Sequence, residues 1–438
     1  MHTLQQLRAG QLHGARYLKL SAGLRQFPRE MFDLAETLEV LDLSGNALTE
    51  LPDDFPSLQR LRVLFCSNNP FRQLPAVLGQ CAQLSMIGFK ACEIESVPAA
   101  SLPANLRWLI LTDNRIESLP EEIGQCRQLQ KLMLAGNRLQ TLPPSLAECR
   151  NLELLRIAAN RLPQLPDWLA NMPRLAWLAY AGNPFSTAQE EQGARLPIPA
   201  IAWSQLQLGD KLGEGASGQI FQAHMQDGDA QRSVALKLFK GEVTSDGLAA
   251  SEMAACMAAG EHPQLIPLLG RLCGHPQQAP GLLLALIDPA FQTLAGPPSL
   301  ESCTRDCYPA DLQFSLQQAL LMLSGIASVI RHLHQRGIMH GDLYAHNILF
   351  QAEGRVLLGD FGAASFLAEP GEQWQRLEVR AFGLLMQELL QRSSHSPRQA
   401  TLRAALAELQ QRCCNENAAE RPLFSEIFAV LAQCQAAS

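Results

Sequence analysis

Apolar residues recur in the first part of the chain at a period of 22 or 23 residues. A representative copy reads Leu38-Glu-Val-Leu-Asp-Leu-Ser-Gly-Asn46, in which leucines alternate with other residues before a turn. Such alternation predicts a short strand with one buried face. A unit this small cannot bury its leucines alone, so neighbouring copies must stack. The copies open at Leu38, Leu61, Leu84, Leu106, Leu129, Leu152 and Leu175, with an imperfect copy beginning near Ala15.

An asparagine closes the turn of most copies, at Asn46, Asn69, Asn114, Asn137, Asn160 and Asn183. Its position predicts an inward side chain that satisfies buried backbone groups. Cys92 takes this place in the third full copy. The pattern strongly resembles the leucine-rich repeat family, which implies an α/β solenoid, a horseshoe over residues 1–186.

Strand residues between the buried leucines are expected to face the concave surface of this horseshoe. They include Phe65, Trp108, Ile110 and Trp177. An apolar stripe on such a surface predicts an interface with another protein or with the second half of this chain. The alternative is that neighbouring strands half-cover these side chains.

A polar stretch that ends in spaced prolines follows the repeats, and residues 187–203 are therefore predicted to be a semi-rigid linker. Residues 204–438 form the predicted second domain. It opens with Gly213-Glu-Gly-Ala-Ser-Gly-Gln-Ile220. The elements after these glycines have strand patterns, whereas a dinucleotide site would place a helix there. This favours a hairpin that covers phosphates, with glycines permitting close backbone approach.

Lys237 ends the strand-like Val234-Ala-Leu-Lys and is the candidate phosphate-binding cation. It needs a carboxylate partner, for which Glu252 in a helical stretch is the best candidate. Glu242 and Glu261 are alternatives, although Glu261 lies beside a proline and comes late in the helix.

The segment His340-Gly-Asp-Leu-Tyr-Ala-His-Asn347, followed by Asp360-Phe-Gly362, contains the chemistry that phosphoryl transfer requires. One carboxylate must orient and deprotonate the attacking hydroxyl, and a second carboxylate plus an amide oxygen must hold Mg²⁺ on the phosphates. Asp342, Asp360 and Asn347 supply these three groups.

Residues 206–430 as a whole resemble the eukaryotic-type protein kinase family, including the later motifs Ala381-Phe-Gly383 and Arg421. The resemblance implies an α+β bilobal fold that uses ATP and Mg²⁺. It also implies catalytic roles for three residues: Asp342 is the base, and Lys237, paired with Glu252, contacts the α- and β-phosphates. Asn347 and Asp360 are the implied metal ligands. The ATP-binding set would be Leu212, Gly213, Gly215, Gly218, Ile220, Ala235 and Lys237.

Four departures from the family pattern modify this expectation. Gly341 replaces the arginine that usually receives the activation-loop phosphate, which makes switching by that phosphate improbable. Tyr344 stands where serine/threonine kinases place a lysine, which predicts slower transfer. Glu378 replaces an aspartate, and it follows Asp360 by only eighteen residues, so the surface that docks a peptide is abbreviated.

We therefore expect a protein kinase that acts on serine or threonine of a protein that the repeats recruit. The alternatives are a pseudokinase that serves as a binding scaffold and a small-molecule kinase of the aminoglycoside or choline type. A net charge of −7 argues against nucleic acid as a partner. The twelve cysteines are expected to be structural thiols. Without a signal peptide or a membrane span, we expect a cytoplasmic, bacterial-like protein, or an effector secreted without a cleavable signal.

Overall fold

The computed structural model describes residues 2–215, 217–228, 230–241, 243–369, 371–394 and 396–436. The chain divides into two compact units, Met1–Leu175 and Ala176–Ser438. No helix within the described ranges is both long enough and apolar enough to cross a membrane.

The first unit is a parallel β-solenoid, which confirms the predicted leucine-rich repeat fold. A short helix, α1 (Leu4–Arg8), precedes its strands. The strands are three residues each and pair in chain order: β1 (Tyr17–Lys19), β2 (Val40–Asp42), β3 (Val63–Phe65), β4 (Met86–Gly88), β5 (Trp108–Ile110), β6 (Lys131–Met133) and β7 (Leu154–Arg156). The connections carry 3₁₀ helices: Arg29–Leu34, Phe55–Ser57, Ala76–Gln80, Ala99–Ser101, Glu121–Gln125, Pro144–Glu148 and Asp167–Asn171.

The repeat pattern explains why each strand forms where it does. The middle residue of every strand in this unit is fully buried, for example Leu41, Leu64 and Leu132. Between strands, the asparagine side chains satisfy the backbone at the turn. The amide oxygen of Asn114 accepts hydrogen bonds from the N–H groups of Cys92 and Ile94, at 3.1 and 2.9 Å. Stacking therefore buries both the leucines and the polar groups that the turns would otherwise leave unpaired.

The second unit begins with the strand of the last repeat and contains the second domain. Its strands are β8 (Trp177–Ala179), β9 (Ala200–Ala202), β10 (Leu206–Glu214), β11 (Gly218–Asp227), β12 (Ala230–Phe239), β13 (Leu268–Cys273), β14 (Gly281–Ala285), β15 (Gln292–Thr293), β16 (Phe314–Ser315), β17 (Ile338–Met339), β18 (Ile348–Phe350), β19 (Val356–Leu358), β20 (Ser365–Phe366) and β21 (Ser393–Ser394). Its helices are α2 (Thr187–Ala194), α3 (Ala249–Ala259), α4 (Leu316–Gln335), α5 (Gly371–Gln391), α6 (Ala400–Cys413) and α7 (Phe424–Ala436). Short 3₁₀ helices lie at Pro184–Ser186, Trp203–Gln205, Ala345–Asn347, Pro397–Gln399 and Ala418–Glu420.

A six-stranded sheet and a helical part make up this unit, as the predicted bilobal kinase fold requires. The sheet has the order β10-β11-β12-β14-β13-β9. Its core contains the fully buried Val234, Leu236 and Leu283. The helical part is built around α4 and α5, and Arg421 is fully buried in it, donating to the carbonyl oxygens of Asn415 and Arg376 at 2.8 and 3.1 Å.

The segment predicted to be a linker has regular structure in this unit. Residues 187–194 form helix α2, and residues 200–202 form β9, which pairs with β13 in parallel through Ala200 and Arg271. The compact units also divide at Leu175, ahead of the predicted domain end at residue 186. The polar composition of α2 resembled that of a linker because most of its side chains remain exposed.

Replacing Asn114 with alanine should lower the free energy of unfolding of the first unit by about 1–3 kcal/mol, because buried backbone groups lose their partner. Urea unfolding of the whole chain, followed by circular dichroism, measures this. The matched control is Asn105→Ala, since Asn105 is exposed and donates to the Ala82 carbonyl oxygen at 2.9 Å. Equal losses in the two variants would contradict the proposed role of the repeat asparagine.

Candidate active site

A buried ion pair joins the sheet to helix α3. Lys237 lies in β12, and its ammonium group donates to the carboxylate of Glu252 in the first turn of α3. The carboxylate of Asp360 lies 3.8 Å from the same ammonium group. Burial opposes the charge of Lys237, but Glu252 and Asp360 more than offset it and raise the pKa of Lys237. The lysine therefore remains a cation at neutral pH.

Of the three carboxylates considered as partners for Lys237, Glu252 makes the contact. Its side chain is 2% exposed. Glu261 is exposed and follows the end of α3, and Glu242 lies outside the described residues. The structure thus places Lys237, Glu252 and Asp360 together.

The glycine hairpin is formed by the ends of β10 and β11. The N–H group of Gly215 donates to the carbonyl oxygen of Gly218 at 2.9 Å. A Cβ atom on Gly218 would lie 2.4 Å from the Leu238 carbonyl oxygen, so this position admits no side chain. Open space surrounds Gly213 and Gly215 instead. Their backbone is therefore accessible to a phosphate group.

Large apolar side chains are exposed in β10 and directly after β14. Leu212 in β10 is 51% exposed, and Leu286, the residue after β14, is 37% exposed. Ile220 is half-buried in β11, and Ala235 is buried in β12. Large exposed leucines at a cleft are typical of a surface that a flat apolar ligand covers. A cavity of about 60 Å³ lined by Lys237, Glu252, Leu282 and Phe361, among other residues, extends from the Lys237 pair into the core.

The loop of residues 340–347, which we name the catalytic loop, brings Asp342 and Asn347 into contact. The Asn347 amide donates to the Asp342 carboxylate at 2.7 Å and to the Asp342 carbonyl oxygen at 3.0 Å. Asp360 has φ +53° and a side chain that is 54% exposed. Its carboxylate and the Asn347 amide oxygen are hard oxygen donors of the kind that Mg²⁺ takes. The chemistry of these two donors fits a divalent metal ion.

Buried polar contacts hold the start of the catalytic loop in place. The carboxylate of Glu378 in α5 accepts from the N–H groups of His340 and Gly341 at 3.2 and 2.8 Å, and from the His334 ring at 2.7 Å. The His340 ring, which is fully buried, bonds the Gly359 carbonyl oxygen at 2.9 Å. His340 therefore connects the catalytic loop to the residue before Asp360.

One contact at the site was missed by the sequence analysis. Asp306 lies in the long insertion between β15 and β16. Its carboxylate contacts the His346 ring at 2.7 Å and accepts from the His346 backbone N–H group at 3.0 Å. Burial opposes the charge of His346, but this carboxylate, with Asp342 and Asp360, raises the pKa of His346. No sequence signal links residues forty positions apart, and only the folded chain brings them together.

The four residues predicted to face a concave binding surface have different environments. In the first unit, Phe65, Trp108 and Ile110 are half-buried, and the Lys131 ammonium group lies 4.2 Å from the centre of the Trp108 ring. Trp177 is 2% exposed and packs inside the second unit. Of the two partners that the sequence left open for Trp177, another protein or the second half of this chain, the structure shows the second: its ring stacks on Tyr344.

Family models match both parts of the chain. Residues 206–380 match the model described as protein tyrosine and serine/threonine kinase. Residues 102–190 match a leucine-rich repeat region, and residues 36–78 match a model of two leucine-rich repeats.

Three curated proteins each resemble part of this chain. It is 24% identical over 270 residues to the serine/threonine/tyrosine-protein kinase HT1 of Arabidopsis thaliana, covering 52% of this chain and 66% of that protein. It is 34% identical over 119 residues to the leucine-rich repeat and calponin homology domain-containing protein 1 of Homo sapiens, covering 26% and 16%. It is 29% identical over 177 residues to the angiopoietin-1 receptor of Danio rerio, covering 38% and 15%. The chain thus spans less than two thirds of each of these relatives.

Replacing Asp306 with asparagine should lower the pKa of His346, because the carboxylate that stabilises the charged ring is removed. With the carboxylate present, the folded pKa lies above the ordinary 6.5. The pair therefore stabilises the fold fully below pH 6.5 and less as the pH rises through the raised pKa. NMR titration of the His346 ring and urea midpoints across this window measure both effects.

The matched control for this substitution is Asp311→Asn, an exposed carboxylate in the same insertion. It should leave the titration of His346 unchanged. An Asp306→Asn variant that titrates as the original chain does would show that the contact does not control the ring.

Proposed function

We propose that this chain, in which leucine-rich repeats are fused to a protein kinase domain, transfers the γ-phosphate of ATP to a hydroxyl group of a protein that the repeats recruit. The carrying observation is the Lys237–Glu252 pair with Asp360 at 3.8 Å from the ammonium group. A cation, a fixed carboxylate and a half-exposed carboxylate at one point are what a nucleotide's phosphates and their metal ion require.

Each residue has a distinct part in this proposal. Asp342 accepts the proton of the attacking hydroxyl, and Asn347 fixes the Asp342 side chain through its amide. Lys237, kept in place by Glu252, contacts the α- and β-phosphates. Asn347 and Asp360 would hold Mg²⁺, which supplies charge neutralisation on the phosphates.

We further propose serine or threonine as the acceptor. A protein acceptor is supported by the repeat array, since stacked repeats form extended protein-binding surfaces. Phe65, Trp108 and Ile110 are the proposed contacts on the first unit.

A second candidate, a kinase-like scaffold that binds nucleotide without transferring phosphate, is favoured by one observation. Tyr344 is 5% exposed and stands where many kinases have a lysine near the γ-phosphate. Transfer without that charge has to depend on Lys237 and the metal ion alone.

The deciding experiment incubates purified full-length chain with labelled ATP and Mg²⁺, over cell lysate and over a panel of aminoglycosides and choline. We expect labelled protein, and a fall of about a thousandfold or more with Asp342→Asn, because the base is removed. Label on small molecules only would identify a small-molecule kinase. Bound nucleotide without transfer would identify the scaffold.

Recruitment is tested separately with Trp108→Asp combined with Phe65→Asp. These changes place charge on the first unit and should reduce labelling of protein targets in lysate by about tenfold. Nucleotide affinity should remain unchanged. Arg60→Asp, an exposed site outside the strands, is the control. Unchanged labelling in the double variant would remove the repeats from substrate choice.

A further inference from the structure

Gly341 occupies a position that no other residue can take without displacing its neighbours. Its φ is +73°, and a Cβ atom there would lie 2.6 Å from the Ala363 carbonyl oxygen and 2.7 Å from the Leu178 carbonyl oxygen. Leu178 belongs to β8, the strand of the last repeat. The backbone of that strand therefore occupies the space where an arginine side chain would begin in most protein kinases.

Trp177, the neighbour of Leu178, contacts the two residues that follow Asp342. Its ring stacks on the Tyr344 ring with centroids 4.1 Å apart and an angle of 8° between the planes. Its indole N–H donates to the Leu343 carbonyl oxygen at 3.0 Å. The Arg305 guanidinium lies 5.3 Å from the centre of the same indole ring. Trp177 thus fixes the backbone and the side chain beside the proposed base.

Tyr180 contacts the segment that follows Asp360-Phe-Gly362. Its hydroxyl donates to the Phe366 carbonyl oxygen at 3.0 Å and accepts from the Ala368 N–H group at 3.3 Å. Its own N–H group donates to the Ser365 hydroxyl at 3.1 Å. Complete burial raises the pKa of Tyr180, so the hydroxyl remains a donor at any physiological pH.

Helix α2 contacts helix α3 through a hydrogen bond between side chains. The Ser251 hydroxyl, one residue before Glu252, donates to the Glu190 carboxylate at 2.5 Å. The other oxygen of Glu190 accepts from the Gly182 N–H group and the Ser186 hydroxyl at 2.7 and 2.6 Å. One continuous segment, residues 177–194, which we name the brace, therefore contacts three elements of the site.

We infer that the brace is a positioning element of the active site, one that holds the catalytic loop, the segment after Gly362 and helix α3 in their working arrangement. The catalytic loop carries Asp342, α3 carries Glu252, and the segment after Gly362 closely follows Asp360 in the chain. In this chain the brace acts where other kinases use an arginine and a phosphorylated loop. The inference rests on the proposed function.

Gly341 and Tyr344 have the same explanation. A glycine at 341 makes room for the Leu178 carbonyl, and an aromatic ring at 344 provides the surface on which Trp177 stacks. The two departures from the kinase pattern are thus the positions at which the brace packs against the catalytic loop. With the brace in place, the site needs no phosphate on the segment after Gly362 to be ordered.

The first test replaces Trp177 in the full-length chain. Trp177→Ala should lower kcat by about 10- to 100-fold with the KM for ATP within about twofold, because positioning beside the base is lost while the nucleotide contacts remain. Trp177→Phe, which keeps an aromatic face, should recover part of kcat. Trp168→Ala, a half-buried tryptophan in the 3₁₀ helix before β8, is the matched control and should match the original chain.

The second test uses a pair of glycines with the same backbone conformation. Gly341→Ala should lower kcat as Trp177→Ala does, since the new methyl group displaces β8 and the Ala363 carbonyl from the catalytic loop. Gly337→Ala adds the same strain at φ +71° but meets open space, and it should retain kcat. Equal effects in both variants, or a fully active Gly341→Ala, would overturn the inference.

Amide hydrogen exchange decides the inference even if the chain transfers no phosphate, a result that would contradict only the proposed function. Trp177→Ala should speed exchange at residues 341–345 and 365–368 and leave the first unit unchanged. Should that variant not fold, Tyr180→Phe serves in its place, because it removes a single hydroxyl and should speed exchange at Phe366 and Ala368. Exchange identical to the original chain in both segments would overturn the proposal.

Discussion

The buried carboxylate of Glu378 is the contact on which the geometry of the second unit depends. It lies in α5 and accepts hydrogen bonds from the backbone of His340 and Gly341 and from the His334 ring. Burial works against its charge, but these donors keep the pKa of Glu378 below its ordinary value. An ionised carboxylate with three donors orders the chain immediately before Asp342, and removing any one donor would leave a buried charge unsatisfied.

From this point the order extends outward through short contacts. His340 joins the catalytic loop to Gly359, directly before Asp360, and Asp360 lies beside Lys237. Lys237 in turn pairs with Glu252 on α3. The sheet, the catalytic loop and α3 are therefore coupled through a series of contacts between polar groups. Such coupling allows a segment that contacts these elements, as the brace does, to influence the whole site.

The sequence predicted well the features that depend on nearby residues, such as repeats and short motifs. It predicted poorly how distant segments pack together. The repeat period predicted the solenoid, and the glycine, lysine and aspartate motifs predicted a kinase domain, because short motifs reflect local backbone requirements. Glu252 was the best of three candidates for the partner of Lys237, because it lies in a helical stretch. By contrast, the polar stretch at 187–203 was predicted as a linker, although α2 and β9 form there. Asp306 gave no signal at all.

Trp177 shows most clearly where prediction from sequence ends. Its repeat position assigned it to a strand and to the side opposite the buried leucines, and that assignment leaves open whether another protein or the same chain covers it. The tertiary structure decided between these by stacking it on Tyr344. Sequence by itself determined the solenoid and the bilobal fold of the second domain, since periodicity and motif spacing depend on neighbours along the chain. Only the tertiary structure decided that the last repeat strand belongs with the catalytic loop, because burial of an aromatic side chain depends on which distant surface matches it.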